Sequence, residues 1–321
     1  MHIPTEAESI IGLDLGGTKL LGILMTRSAR IVTRLQVPTP RGNAAVTSAV
    51  ISLLEMMVKE AAGINIRPTG IAIGSPGFID PASEMIVDAE NLEVSHLALS
   101  KAVTDHFGLP AHLFHDVKAA VLGEALFGAG IGRDDFAFLN IGTGVSVGLY
   151  LDGRVYRGAG NKSGEIGHIA LGPAGAGKTV EPWNRLESKA SGPALVRRAL
   201  DELSRSPESH ILELAGNNPE RVSPQVIHEA AAAGDLLAVR LIEETADILG
   251  AAVGAVLDIL DLECVILGGG VAQMGTLLLD PIERAVARYA ISPVPVLVSP
   301  LGGDAGAVGV VASFFYTGGR P

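Results

Sequence analysis

A strand, a glycine-rich turn and a second strand occur twice in the chain, and this repeat constrains the fold more than any other feature. The first copy is Ile10–Met25, with its turn at Gly16-Gly17-Thr18, and the second is Phe136–Leu151, with its turn at Gly142-Thr143-Gly144. Two adjacent apolar strands joined by such a turn form a β-hairpin. We therefore expect each half of the chain to open on a hairpin.

Strand and helix patterns alternate after each hairpin. Apolar periodicity predicts helices at Asn43–Ala61, Ser95–Phe107, Val117–Phe127 and Asp304–Phe315, and a largely helical stretch at Glu187–Leu257. Short apolar runs predict buried strands at Ile31–Val37, Gly70–Ile73, Ala111–Phe114, Cys264–Leu267 and Val296–Ser299. This order predicts an α/β protein of two similar lobes. We place the first lobe at residues 1–116, joined by a C-terminal helix at 304–321, and the second at residues 117–303.

Composition excludes several classes of protein. Lys and Arg number 24 against 35 Asp and Glu, so the net charge is −11 and binding to nucleic acid is not expected. The single cysteine, Cys264, fits a reducing compartment. The segment Met1–Ile10 has no basic cluster, so it does not resemble a secretory signal. The longest apolar run, Ile248–Leu257, is shorter than the about 20 residues that a membrane helix needs. We expect a soluble cytoplasmic protein with no membrane partner.

The turns of both hairpins are suited to binding phosphate. In the first, Asp14 ends the strand, the Gly16-Gly17 pair lets a phosphate approach backbone N–H groups, and Thr18 and Lys19 add a donor and a charge. Asp14 can also hold Mg²⁺ through water. The second turn, Gly142-Thr143-Gly144, repeats the arrangement, so the two turns can hold the phosphates of one nucleotide. Considered alone, each of the two turns is equally consistent with an ordinary hairpin turn that binds no ligand.

A third glycine-rich segment follows a buried strand. Gly268-Gly269-Gly270-Val271 would let a flat ligand such as adenine lie against the backbone. The alternative is a strand-to-helix turn with capping glycines.

Two further segments place polar side chains where strands or turns end. His115-Asp116 lies between a predicted strand and helix, where Asp116 can cap the helix, accept a hydroxyl proton as a general base, or do both. Glu165 and His168 lie three residues apart, and Glu187 would complete a cluster suited to a polyhydroxyl ligand. In isolation, Glu165 and His168 could also form ordinary surface hydrogen bonds.

One motif is interpreted as coincidence. Gly172–Thr179 fits the phosphate-loop pattern G-x-x-x-x-G-K-[ST]. A true loop of this kind opens a long helix, and Pro182 would lie inside that helix. We interpret the segment as a Gly/Ala loop.

Taken together, these motifs resemble the ROK family (repressors, open reading frames, sugar kinases), which has the actin, sugar-kinase and Hsp70 ATPase fold. The resemblance extends from Ile10 to about Phe315. The matching segments are Asp14–Lys19, Asn91-Leu92, His115–Glu124, Ile141–Gly144, Gly164–His168, Leu186–Gly192 and Gly268–Val271. It implies an actin-like ATPase fold of duplicated ribonuclease-H-like lobes around a central cleft, and a homodimer.

The resemblance also implies an ATP-dependent, glucokinase-like sugar kinase that uses Mg²⁺ and phosphorylates O6 of a hexose, with glucose as the default. It assigns Asp116 as catalytic base. It assigns sugar binding to Asn91, His115, Asp116, Glu165, His168 and Glu187. It assigns nucleotide binding to Asp14, Gly16, Gly17, Thr18, Lys19, Gly142, Thr143, Gly144, Gly269 and Gly270, with Asp14 holding Mg²⁺ through water.

Three departures from the family pattern leave alternatives open. Lys178, Val180 and Arg185 stand where many members have zinc-binding cysteines, so we expect no zinc site. His115 replaces the usual Asn, and the segment after Asn91 lacks the usual Pro-Gly-Trp. The acceptor could therefore be glucose, mannose, an N-acetylhexosamine, an aminosugar or a cyclitol, and the donor ATP or polyphosphate.

Other classes of function also compete with the kinase interpretation. A catalytically poor sugar sensor would share the fold, as would an actin-like ATPase that needs no sugar. The kinase motifs begin at Ile10, which leaves no room for a helix-turn-helix, so the repressor branch is not expected.

Overall fold

The computed structural model, which describes residues 8–172 and 184–316, mixes strands and helices and confirms the α/β prediction. The strands are β1 (Ser9–Leu15), β2 (Lys19–Thr26), β3 (Ile31–Pro38), β4 (Gly70–Ser75), β5 (Phe78–Asp80), β6 (Met85–Ala89), β7 (Val94–Leu97), β8 (Ala111–His115), β9 (Phe136–Ile141), β10 (Val145–Leu151), β11 (Arg154–Tyr156), β12 (Cys264–Gly268) and β13 (Val296–Val298).

The helices are α1 (Asn43–Gly63), α2 (Leu99–Phe107), α3 (Asp116–Phe127), α4 (Glu187–Ala190), α5 (Gly192–Leu203), α6 (Ile211–Leu214), α7 (Pro224–Ala232), α8 (Leu236–Leu260), α9 (Thr276–Tyr289) and α10 (Ala305–Tyr316). Single 3₁₀ turns include Glu90–Leu92, Ile166–His168 and Val271–Met274. Within the described ranges, none of these helices combines the length and the apolar character that a membrane span requires.

The described residues group into two compact units. The first contains the chain up to Gly132, then Gly148–Ser163, and again the chain from Gly303 onward. The second contains Arg133–Val147 and Gly164–Gly302. The lobe limits inferred from the sequence, at residues 116 and 303, stay a prediction.

The first unit is built on a five-stranded sheet in the order β3–β2–β1–β4–β8. The hairpin predicted at Ile10–Met25 is present, since β1 and β2 pair antiparallel. Strands β4 and β8 run parallel to β1. Because parallel strands end at one edge of a sheet, the ends of β1, β4 and β8 lie side by side.

Helices cover both faces of this sheet. A Cβ on Gly22 would meet Leu53 and Met57 of α1, whereas a Cβ on Gly12 would meet Val311 of α10. Gly22 pairs with Leu13, the neighbour of Gly12, and adjacent residues of a strand point to opposite faces. The residues of β1 are almost all buried, so its end is held rigidly.

The second unit contains β9, β12 and β13, which are parallel neighbours in the order β9–β12–β13. Helices α8 and α9 pack closely. A Cβ added to Gly250 of α8 would collide with Ala285 of α9. The turn Gly142–Gly144 follows β9, and β10 follows the turn, as the sequence predicts for the second hairpin.

One helix begins later than predicted. Residues 95–98 do not belong to α2, which begins at Leu99, and β7 (Val94–Leu97) instead completes a small antiparallel sheet with β5 and β6. The Asn43 side chain hydrogen-bonds both the N–H of Ser95, at 3.1 Å, and its carbonyl, at 2.7 Å. This long-range contact favours extended backbone at Ser95 over the local helix preference.

Candidate active site

Two carboxylates lie at the carboxyl edge of the first unit's sheet. Asp14 is the penultimate residue of β1, and Asp116 follows β8 directly. The strand register pairs Asp14 with Gly74 and Ser75 with His115, which brings the two carboxylates within electrostatic reach. Burial and the charge of Asp116 raise the pKa of Asp14 to about 7, with Lys19 opposing the change.

Asp116 is not the cap of α3, contrary to the capping interpretation. His115 occupies the N-cap, and Asp116 is the first helical residue. Its carboxylate accepts the N–H of Val117 at 2.7 Å and lies 3.1 Å from Nδ1 of His115. Burial raises the pKa of Asp116, but His115, the Val117 N–H and Lys118 together hold it below its ordinary value. An ionised carboxylate of this kind is able to accept a proton.

The first glycine-rich turn has the conformation of a hairpin turn. The N–H of Gly16 donates to the Lys19 carbonyl at 3.0 Å, and the N–H of Thr39 donates to the Thr18 carbonyl at 3.1 Å. Thr18 is exposed and Gly17 is half-buried, so the tip of the turn faces solvent.

Asn91 lies in the 3₁₀ turn that follows β6. Its carbonyl accepts a hydrogen bond from Arg41 at 3.1 Å. This bond joins the backbone of Asn91 to Arg41. It does not connect Asn91 to Asp116.

In the second unit, Glu187 connects two of the predicted segments. Its carboxylate accepts the N–H of Val145 at 3.0 Å, directly after the Gly142–Gly144 turn. A Cβ on Gly144 would lie 3.2 Å from the Glu187 carboxyl carbon, and a Cβ on Gly167 would lie 3.1 Å from Oε2. Glu187 therefore packs against both the second turn and the loop that carries Glu165.

The third glycine-rich segment, Gly268–Val271, lies beside the second turn. Gly268 pairs with Asn140 in the sheet, and Gly269 has a φ of 86°, which favours glycine. A Cβ on Gly269 would also lie 2.7 Å from Oδ1 of Asn140, whereas a Cβ on Gly270 would meet nothing within 4 Å. Thr143, at the tip of the second turn, is exposed. Because the space around Gly270 is open, a flat ligand could approach the backbone at that residue.

His168 is held by an arginine. Nη1 of Arg185 lies 2.9 Å from Nδ1 of His168. A guanidinium has donors only, so Nδ1 of His168 accepts, and a neutral imidazole then carries its proton on Nε2. Nε2 is left as a hydrogen-bond donor. Glu165 precedes the same 3₁₀ turn, and its carbonyl accepts the N–H of His168 at 3.1 Å.

Some residues of the predicted motifs lie outside the part of the chain that the structure describes. Lys178, Val180 and residues 173–179 of the phosphate-loop-like segment lie outside the described residues. Within residues 8–172 and 184–316, the structure has no group of three or more His, Cys, Asp or Glu side chains arranged to hold a metal ion. Arg185 is the one zinc-motif position that is described, and it contacts His168.

The sequence interpretation predicted the last helix of the chain but did not assign its start, at Asp304–Gly306, to the site. A Cβ on Gly306 would lie 2.8 Å from the carboxyl carbon of Asp14, and the charge of Asp304 also contributes to raising the pKa of Asp14. Asp304 in turn pairs with Arg34 at 2.9 Å. The available signal was the glycine-rich run 302–306 at the start of a predicted helix.

Asp14 and Asp116 fit a magnesium ion. Burial first and then the charge of Asp116 raise the pKa of Asp14, so the two half-buried carboxylates repel each other, and a cation would relieve that repulsion. Mg²⁺ in phosphoryl-transfer sites takes one or two carboxylates and completes its shell with water and phosphate oxygens. A cage of three protein ligands is therefore not required.

Replacing Asp14 by Asn should stabilise the magnesium-free protein at alkaline pH. Because folding raises the pKa of Asp14 from 3.8 to about 7, the stability that its neutral form provides is lost as the pH rises through 7. Asn stays neutral, so we expect the advantage of Asp14→Asn to grow by about 2 kcal/mol between pH 5 and pH 8. Urea unfolding of both proteins at the two pH values measures this, and an equal difference at both would contradict it.

The comparison with solved structures identifies the fold as that of the actin-like ATPases. A ROK family glucokinase from Streptomyces griseus, solved in complex with glucose and AMPPNP, superposes with a TM-score of 0.86 at 31% identity, covering 94% of this chain and 97% of that one. This confirms the fold class inferred from the motifs. The sequence model of the ROK family matches residues 10–314, and the chain belongs to the ROK family.

Two further relatives are similar to this chain in sequence. The glucokinase of Halalkalibacterium halodurans is 30% identical over 310 residues, which cover 93% of this chain and 92% of the relative. The bifunctional enzyme NanE/NanK of Brucella melitensis is 32% identical over 306 residues, which cover 94% of this chain and 53% of the relative. The resemblance inferred from the sequence motifs is thus confirmed at the level of the family.

Proposed function

We propose that the protein is an ATP-dependent sugar kinase that transfers the γ-phosphate of ATP to a hexose hydroxyl, with O6 of glucose as the first candidate. The observation that carries the proposal is Asp116, a half-buried, ionised carboxylate placed beside Asp14 at the edge of the sheet. The glucokinase relatives, one of them bound to glucose and AMPPNP, support the same reaction.

Asp116 acts as the general base in this proposal. Its carboxylate accepts the proton of the attacking hydroxyl as the oxygen–phosphorus bond forms and ADP leaves. The lowered pKa keeps Asp116 ionised at neutral pH. Magnesium, when bound at Asp14, neutralises charge on the phosphates. Backbone N–H groups at Gly17, and at Thr143 and Gly144 in the second unit, can donate to phosphate oxygens, whereas the N–H of Gly142 donates to the Gly144 carbonyl within the turn.

Residues of the second unit supply sugar recognition. Glu165 and Glu187 accept hydrogen bonds from sugar hydroxyls, and His168 donates from Nε2 because Arg185 occupies Nδ1. Sugar hydroxyls both donate and accept, so a mixed set of donors and acceptors distinguishes one stereoisomer from another. Asn91 and His115 of the first unit are proposed to contact the sugar as well. The homodimeric state and the cytoplasmic location stay predictions.

Replacing Arg185 by Gln should weaken sugar binding without changing the chemical step. A glutamine side chain is shorter and has an acceptor as well as donors, so it no longer fixes the tautomer of His168. We expect the KM for the sugar to rise about fivefold to tenfold, as the loss of roughly one hydrogen bond implies, with kcat nearly unchanged. Arg205→Gln, on the surface of the second unit, is the matched control. A fall in kcat at constant KM would contradict the assignment.

His115 leaves the choice of sugar open. The residue stands where the ROK family usually has Asn, and the chain is similar to the bifunctional enzyme NanE/NanK as well as to glucokinases. Mannose, an N-acetylhexosamine, an aminosugar or a cyclitol are the alternative acceptors. Polyphosphate is the alternative donor.

Replacing His115 by Asn should narrow the pH range of activity. His115 is the largest of the contacts that hold down the pKa of Asp116 against the effect of burial. Without it the pKa of Asp116 rises, so we expect the acidic limb of kcat/KM to move to higher pH. Rates from pH 4.5 to 8 measure this, with His106→Asn as the control. An unmoved acidic limb would show that His115 does not tune the base.

The proposed function is tested by the release of ADP from ATP and magnesium across a panel of the candidate acceptors. Stimulation by one acceptor supports the kinase and names its substrate. Hydrolysis that is independent of any sugar would support an actin-like ATPase instead. Sugar binding without turnover would support a sugar sensor.

A further inference from the structure

A cavity in the first unit is lined by none of the residues of the two glycine-rich turns. It has a volume of about 320 Å³ and lies between β8, α3, the hairpin from Tyr150 to Arg157 and the end of α10 at Tyr316. Of the residues proposed above for catalysis or binding, it includes His115. A volume of this order is at the lower end of the range for small-molecule sites.

The charge of the cavity wall is opposite to that of the chain. His115, Lys118, Arg154 and Arg157 line it, and no Asp or Glu is among its described lining residues. The whole chain, by contrast, carries a net charge of −11. Three cationic side chains, Lys118, Arg154 and Arg157, on one small cavity of an acidic protein favour an anionic occupant.

Lys118 places one of these charges deep in the wall. The residue is 7% exposed, and its Nζ donates to the Asn161 carbonyl at 2.5 Å. This bond fixes the position of the ammonium group within the first unit. A buried, positioned cation interacts with an anion more strongly than one exposed to water does.

The remainder of the wall is apolar and aromatic. Phe114, Leu122, Tyr150 and Tyr316 offer ring and methyl surface for the carbon skeleton of a ligand. Two guanidinium groups match the oxygens of a phosphate monoester, which they bind in a forked geometry. We propose that the cavity binds a small organic phosphate, the phosphate group lying among Lys118, Arg154 and Arg157 and the carbon skeleton against the aromatic wall.

The test measures binding directly, so it does not depend on the proposed kinase activity. Calorimetric titration with hexose 6-phosphate and with inorganic phosphate is carried out on the full chain and on the double variant Arg154→Gln/Arg157→Gln. The control, Arg30→Gln/Arg67→Gln, removes the same charge from exposed positions of the first unit. We expect the double variant to bind the ester about tenfold more weakly or worse, and the control to bind as the natural protein does.

Each other outcome overturns the proposal. Equal affinity of the double variant and the natural protein would place the ester elsewhere, for instance at the proposed catalytic residues. No binding of the ester up to about 10 mM would show that the cavity has no such ligand. Equal affinity for inorganic phosphate and for the ester would show that the aromatic wall contributes nothing. Turnover of the double variant, measured on the same samples, should match that of the natural protein.

Discussion

Replacing Asp116 by Asn should lower kcat about 10²-fold to 10⁴-fold while leaving sugar affinity nearly unchanged. Asn has almost the same shape as Asp and can still hydrogen-bond a hydroxyl, but its amide cannot take the proton. Because the lost interaction operates only in the transition state, kcat and kcat/KM should fall together. Initial rates of ADP release and calorimetric sugar binding on one preparation measure both quantities.

A second carboxylate serves as the control for Asp116. Asp105 is exposed on α2 and pairs with Lys101, so Asp105→Asn removes the same charge from the same unit. Its rate should match that of the natural protein. Turnover of Asp116→Asn within a factor of about ten of normal would reject Asp116 as the base.

Replacing Gly309 by Ala should cause a large loss of stability in the first unit. Gly309 lies on α10 where this helix crosses α3, and an added Cβ would lie 2.7 Å from the Ala120 nitrogen and closer still to the Ala119 carbonyl. These are backbone atoms, so no side chain can rotate away and the two helices must separate. We expect a loss of about 3 kcal/mol in the free energy of unfolding, measured with urea.

Gly63→Ala is the matched control for this change. Gly63 ends α1, and a Cβ there would meet nothing within 4 Å. The same methyl group should therefore be neutral or stabilise the protein by about 0.5 kcal/mol, because Ala favours the helix. Similar effects of the two variants would show that α3 and α10 do not pack as described. Since α3 begins at Asp116, Gly309→Ala should also lower the reaction rate.

The sequence could predict the parts of the site that depend on local patterns. Both hairpins follow from glycines between apolar strands, and the position of Asp116 at a sheet edge follows from the end of a strand at His115. The short sheet of β5, β6 and β7 was not predictable in this way. Its strands are only a few residues long, and contacts such as that between Asn43 and Ser95 join distant parts of the chain.

The electrostatics of the site also required the structure. The pKa of Asp14 depends on burial and on the distance to Asp116, which lies about a hundred residues further along the chain. Likewise, the contact of Arg185 with His168 depends on the bridge that pairs Ala170 with Arg185. Sequence spacing carries no information on either distance.

The most direct test of the central claim follows the γ-phosphate of ATP by ³¹P NMR, with magnesium and glucose or the acceptor that the panel identifies. We expect a sugar phosphate monoester to form in the same amount as ADP, with its phosphorus coupled to the two protons on C6. Inorganic phosphate in place of the ester, or ATP that stays intact with every acceptor, would contradict transfer to a sugar hydroxyl.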